Sequence, residues 1–319
     1  MNIASIGVVA GVNVLDQLAE KNNVLTTVTI SGSEQFNLGS SGAPSNREGV
    51  VTDIAATAAF PTKIHSSLTL IEASATTGDL QIYAGATNTS GAGQFANGRS
   101  LDPNVTITYT GLTIKGGSGH DTIGNDAKNG VVTAGNGNGD SVGLGGAGAK
   151  ATLGTGSFDV VEVGFSFLGT NETAGSALGD KVTFGNAATA QLIVGTGAEA
   201  GSTAGTASIG LTKVVHAEAG MKINFSAVTP SSNIFDGRDV GVTAKGLGLN
   251  LTAAENAVVA TMGGPGVAFF FFGGNEYFIA TNHTETAVSS DDVIVKLVGL
   301  HDFTTLTGTD SFGVVTLHV

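Results

Sequence analysis

From Val24 onward, apolar and polar residues alternate with period two, in short runs that end at glycine. That alternation turns one apolar face inward and predicts half-buried strands. Val24–Gly32, Gln35–Gly39, Ser67–Ser74 and Asp79–Ala84 carry the pattern first. It is most regular over residues 105–198. There Val105–Tyr109, Leu112–Ile114, Val131–Thr133, Ala151–Leu153, Val160–Val163, Lys181–Phe184 and Gln191–Val194 each offer an apolar core position between glycine-rich corners. Two segments read as helix instead. Within residues 1–25, Asn13 is placed to cap a short helix carrying Val14, Leu15 and Leu18. Over Thr252–Met262, Ala253, Ala254, Ala257 and Val258 sit at helical spacings. Val267–Phe272, Glu276–Thr281, Val293–Leu297 and Val314–Leu317 predict strands of a compact C-terminal cap. Residues 40–64 and 85–103 are loose, with Ser, Gly, Asn and Pro, and read as loop insertions.

Asp121, Asp140 and Asp159 follow one another at intervals of nineteen residues. Each closes a glycine-rich turn: GGSGHD at 116–121, GNGNGD at 135–140 and GTGSFD at 154–159. A strand-favouring hydrophobe follows closely each time, at Ile123, Val142 and Val160. A fixed period of this kind predicts an all-β fold, a parallel β-solenoid with one repeat per coil. The three carboxylates then stack along one edge, where they repel unless a cation lies between them. Glycine lets backbone carbonyls turn toward such an ion without a Cβ in the way. Oxygen-only coordination suits Ca2+. The candidate ligands are Asp121, Asp140 and Asp159, the backbone of Gly117, Gly119, Gly137 and Gly156, and Asn136 through its backbone or side chain. The alternative is that each Asp only caps its own turn by accepting backbone amides. Lys150 stands where Gly145–Ala149 calls for another aspartate, on the opposite edge. Its ammonium is a built-in cation, so fewer ions are expected there.

Composition narrows the class. The chain has 319 residues, with 49 glycines, no cysteine and no tryptophan. Hydrophobic content of 41% excludes disorder, while charged content of 12% is about half the usual share. The net charge of −13 disfavours nucleic acid and anionic lipid and favours divalent cations. The N-terminus lacks a basic region, and Asn13 and Asp16 interrupt it, so no N-terminal signal peptide is expected. The apolar run Ala257–Phe272 is broken by Gly263–Gly266 and is too short to span a bilayer.

Gly116–Gly124, GGSGHDTIG, fits the nonapeptide Gly-Gly-x-Gly-x-Asp-x-hydrophobe-x, and the other two turns fit it with one residue inserted. These motifs resemble the RTX group of bacterial Gly/Asp-rich proteins. Within that group the likeness is closest to surface-layer proteins exported by type I systems. LTTVTISGSEQFNLG at 25–39, LTLIEASATTGDLQIYAG at 68–85 and the tail from Phe269 to Phe303 share it. The resemblance implies a calcium-binding β-roll, export through an uncleaved C-terminal signal, and self-assembly outside the cell. Three regions follow: an N-terminal solenoid with loop insertions at 1–104, an RTX-like β-roll at 105–204, and a compact C-terminal β cap with the secretion signal at 205–319. An N-terminal lipopolysaccharide-anchoring domain, usual in such surface-layer proteins, is not evident.

The expected function is therefore a secreted, calcium-dependent structural protein forming an extracellular layer, fibre or matrix with copies of itself. The alternative is an adhesin whose loops at 40–64 and 85–103 bind a cell-surface glycan. An enzyme is not expected. There is no His-Glu-x-x-His and no Gly-x-Ser-x-Gly, and the 13 basic residues do not cluster with acids. His120 reads as an exposed turn residue, and the His216–Glu218 pair as incidental. Asp291 and Asp292 read as an exposed turn or as ligands of a peripheral calcium. Phe269–Phe272 reads as a strand buried on both faces, or as a subunit contact or part of the secretion signal.

Overall fold

A computed structural model describes residues 1–6, 12–15, 18–20, 23–39, 50–52, 63–85, 106–164, 179–195, 211–229, 233–238, 246, 248, 250–289, 291–299, 305–308 and 313–318. The fold is mostly β, with large, mainly parallel sheets. It divides into two compact units, Met1–Gly156 with Ser166–Asn171, and Ser157–Phe165 with Glu172–Val319.

The first unit holds β1 (Asn2–Ser5), β2 (Val12–Leu15), β3 (Leu18–Glu20), β4 (Thr27–Gly32), β5 (Gln35–Leu38), β6 (Val50–Thr52), β7 (Lys63–His65), β8 (Leu70–Thr76), β9 (Leu80–Ala84), β10 (Thr106–Thr108), β11 (Thr113–Lys115), β12 (Asp121–Asn125), β13 (Val131–Thr133), β14 (Ser141–Leu144) and β15 (Lys150–Thr152). Its main strands go alternately to two sheets. One sheet runs β1-β4-β8-β11-β13-β15 and the other β2-β5-β9-β12-β14. The pairings within both are parallel. Parallel neighbours need a long crossover, and here the strand in the opposite sheet supplies it. Two further pairs, β3 with β6 and β7 with β10, are also parallel.

Period-two alternation fixes the register. Ile71, Ile114 and Val132 pair in one sheet, and Ile82, Ile123 and Val142 in the other. All of these are fully buried. Each such side chain contributes about 1.5–3 kcal/mol of burial. A slip by one residue would turn every column outward.

The expected helix in residues 1–25 is not formed: β1, β2 and β3 occupy its described positions. Asn13 is no cap; its amide Nδ2 donates to Ser5 Oγ at 2.8 Å. One turn of helix is marginal alone, whereas β2 gains a full register against β5. The insertions at 40–64 and 85–103 lie largely outside the described residues.

The second unit holds β16 (Val160–Val163), β17 (Lys181–Thr183), β18 (Gln191–Val194), β19 (Thr212–Val215), β20 (Lys222–Asn224), β21 (Ile234–Asp236), α1 (Leu251–Met262), β22 (Gly266–Phe272), β23 (Asn275–Thr281), β24 (Val293–Leu297), β25 (Thr305–Gly308) and β26 (Val314–His318). Its sheets run β17-β19-β24-β23-β22-β21 and β16-β18-β20-β26-β25. Pairing turns antiparallel at β24-β23-β22 and at β20-β26-β25. The helix expected over 252–262 forms as α1, capped by Asn250 Oδ1, which accepts the Ala253 amide at 2.9 Å, and ended by Gly263 at φ 66°. Val258, Val259 and Met262 pack with Phe270, Tyr277, Ile279 and Ile294. Phe269 lies on the other face of β22, stacked on Phe278 at 6.3 Å and under Arg238 at 5.2 Å. Phe269 and Phe270 are thus buried from opposite sides of one strand. Among the described residues, no helix is long and apolar enough to cross a membrane.

Candidate metal site

The turns that join the first sheet to the second carry the aspartates. Asp121 is the first residue of β12, and Asp140 immediately precedes β14. The register Thr122–Ser141 makes them neighbours across the repeat, about 4.8 Å apart along the sheet. Both are fully buried.

Backbone amides hold them in a repeating way. The Gly117 amide donates to Asp121 Oδ2 at 2.7 Å, inside its own turn. The Leu80 amide of the preceding repeat donates to Asp121 Oδ1 at 3.2 Å. The Asp121 amide likewise donates to Asp140 Oδ1 at 2.9 Å. Each carboxylate therefore ties its turn to the turn before it. The turn-capping role is present in the structure at Asp121.

The glycines are needed because the turns stack at backbone contact. A Cβ on Gly117 would lie 2.1 Å from the Thr76 carbonyl oxygen. One on Gly135 would lie 1.8 Å from the Gly117 oxygen, and one on Gly137 1.8 Å from the Gly119 oxygen. Gly154 meets the Gly135 oxygen in the same way, at 1.9 Å. Any side chain there would force the turns apart. The stacking also lines the edge with carbonyl oxygens from Gly117, Gly119 and Gly135.

The electrostatics of this edge are unbalanced. Burial pushes the Asp121 carboxyl up to about 7. The Asp140 and Asp79 charges push the same way, and the Gly117 and Leu80 amides push back. The charged side chains that act on Asp121 are thus both negative. The donor set fits a hard cation: carboxylates and backbone carbonyls, with no nitrogen or sulfur.

The other candidates fall as follows. Asn136 is exposed, and its Oδ1 accepts the Thr155 amide at 3.1 Å. Gly156 is buried at the end of the first unit, and Asp159, 1% exposed, precedes β16 in the second. Phe158, just before it, is held at φ 65°, where the preceding repeat has Gly139 at φ 76°. Lys150 opens β15 in the other sheet, with its side chain exposed.

Several buried acids were not among the sequence candidates. Asp180 is fully buried before β17. Its signal was legible, since Gly179 at φ 78° precedes it as Gly139 precedes Asp140. Glu255 on α1 and Glu276 on β23 are also fully buried, and burial pushes them up to about 7 and about 8. Near β24, the donor atoms of His283, Glu285 and Asp291 converge within 4.8 Å of one another. Compared with family models and with curated proteins, the chain matches none.

Proposed function

We propose that this chain is a secreted structural protein, a parallel β-solenoid whose aspartate-bearing turns bind Ca2+ as in RTX-type β-rolls and which assembles with copies of itself into a surface layer, fibre or matrix. The observation that carries the reading is the Asp121–Asp140 pair. Two buried carboxylates meet in register, under a negative field, on an edge lined with carbonyl oxygens. Burying like charges together is costly, and a divalent ion between the turns removes that cost. Asp121 and Asp140 would hold it, with carbonyls from Gly117, Gly119 and Gly135. Bound there, the ion supplies charge neutralisation and fastens one turn to the next.

Self-assembly has its own support. With 12% charged residues, the chain has little like-charge repulsion to keep strand edges apart once the turns are neutralised. Strand β2 pairs on one side with β5 and exposes Val12 and Val14. Secretion fits the same chemistry. Where calcium is scarce the acidic chain stays unfolded and threads an export channel; where calcium is millimolar it folds.

A calcium titration followed by circular dichroism, sedimentation and electron microscopy tests the proposal. Calcium-free protein is expected to lose much of its β signal, because ion binding and folding are one equilibrium when the ligands are not preorganised. Changing Asp121, Asp140 and Asp159 together to Asn should weaken folding first and assembly as a consequence. A chelated sample with an unchanged spectrum would overturn the calcium reading. Protein that folds with calcium yet stays monomeric at high concentration would replace the assembly reading with the adhesin.

A further inference from the structure

Three strands of the second unit present a row of lysines on one outer face. Lys181 of β17 pairs with Lys213 of β19, and Lys213 pairs with Lys296 of β24. Neighbouring strands stand about 4.8 Å apart, so the three side chains leave the sheet along a line that spans roughly 10 Å. Alternation sends them outward: Val182, Val214 and Leu297, next to them in sequence, are fully buried on the opposite face.

The row is not neutralised. The chain has 26 acidic residues against 13 lysines and arginines. Yet among the described residues no acid forms an ion pair with Lys181, Lys213 or Lys296. Asp180, the residue before Lys181, is fully buried. Lys181 and Lys213 are exposed, while Lys296 is half-buried and holds its ammonium 5.7 Å from the centre of the buried Tyr277 ring. Like charges on adjacent strands cost stability. A chain this rich in carboxylates leaves that cost uncompensated here, which is the mark of a surface kept for a ligand.

A second observation gives the ligand its shape. Two residues further along the same face lie Thr183, Val215 and Val298. Thr183 pairs with Val215, and the Val298 amide donates to the Val214 carbonyl at 2.9 Å, which carries the register onward. Thr183 and Val215 are half-buried, and Val298 is 40% exposed. A cationic row thus runs beside an uncharged, partly apolar one. Together they suit a linear ligand with anionic groups along one edge and C–H surface along the other. An acidic polysaccharide has that build, and its single charge per sugar repeats at close to the strand spacing. Other polyanions fit less well. Single-stranded nucleic acid binds by stacking bases on exposed aromatic rings, and Tyr277 is buried. Duplex DNA and anionic bilayers need a broad positive surface, which a net charge of −13 denies them.

We propose that the row of Lys181, Lys213 and Lys296, with the shelf of Thr183, Val215 and Val298 beside it, binds an acidic polysaccharide laid across the strands, one anionic group to each lysine. This surface is a sheet face, separate from the aspartate turns and from the loops at 40–64 and 85–103.

The test is calorimetric titration of tetragalacturonate into the full chain in calcium buffer, with the fully methyl-esterified tetramer as its uncharged twin. A titration into buffer alone subtracts calcium's own binding to the sugar. Wild-type protein should bind the acid and not the ester. The row spans about one Debye length at 0.1 M salt, so raising sodium chloride from about 0.05 to about 0.5 M should weaken binding at least about tenfold. Lys213→Glu sets a carboxylate in the middle of the row and should also weaken it at least about tenfold. Its urea midpoint should not fall, which separates lost binding from lost fold. Lys222→Glu, on β20 in the other sheet, should bind as wild type. No binding of the acid, equal binding of the ester, unchanged affinity in Lys213→Glu, or tighter binding of a twelve-residue oligothymidylate would each overturn the proposal. Binding by protein that folds without calcium would support it while the calcium reading failed.

Discussion

Asp121 carries the sharpest consequence at the scale of one residue. With no cation bound, its carboxyl is raised from 3.8 to about 7, by burial first and by neighbouring acids second. A raised folded value means that the folded chain holds the proton more tightly than the unfolded chain. The resulting stability is fully present below the unfolded value and is lost as pH rises through the folded one. What calcium-free protein remains folded should therefore weaken between about pH 4 and pH 7, by on the order of 4 kcal/mol from this group. Glu255 and Glu276, raised by burial, push in the same direction. Asp121→Asn should make the pH dependence of the residual calcium-free β signal shallower, as read by circular dichroism at pH 5 and pH 8. An unchanged slope would contradict the burial argument. The aspartate positions were legible in the sequence because a local turn repeats at fixed spacing. Glu255 and Glu276 were not, because long-range packing of α1 and the antiparallel strands buries them, and no local pattern records that.

At the scale of elements, lysines line up on adjacent strands of the second unit. Lys181 of β17 pairs with Lys213 of β19, and Lys213 pairs with Lys296 of β24. Lys181 and Lys213 are exposed, and Lys296 lies 5.7 Å from the centre of the Tyr277 ring. Like charges directly opposite one another in a sheet are unfavourable. Lys213→Glu should turn two repulsions into attractions and raise stability by about 0.5–1 kcal/mol. Chemical denaturation measures this, and a lowered midpoint would contradict it. Strands with a clean apolar position, such as β13, β16 and β18, were read from the sequence with their observed bounds. The N-terminal segment was misread because Val14, Leu15 and Leu18 suit a helix face as well as a strand. Pairing of β2 with β5 decided between them, and the partner strand lies outside any local window.

At the scale of the molecule, a net charge of −13 rests on few basic residues, and part of the acid is buried. The parallel, glycine-turned architecture of the first unit was legible because the repeat writes itself into the sequence. The antiparallel closure at β22–β24 was legible as strands but not as pairing, since only Gly273-Gly274 marks a hairpin there. The central claim is that the aspartate turns are calcium sites and not merely capped turns. Anomalous scattering from crystals grown with calcium measures this most directly. A peak is expected about 2.3–2.6 Å from a carboxylate oxygen of Asp121 or Asp140 and from neighbouring turn carbonyls, with none beside Lys150. Well-ordered turns with no such peak at either aspartate, or a calcium peak at Lys150, would contradict it.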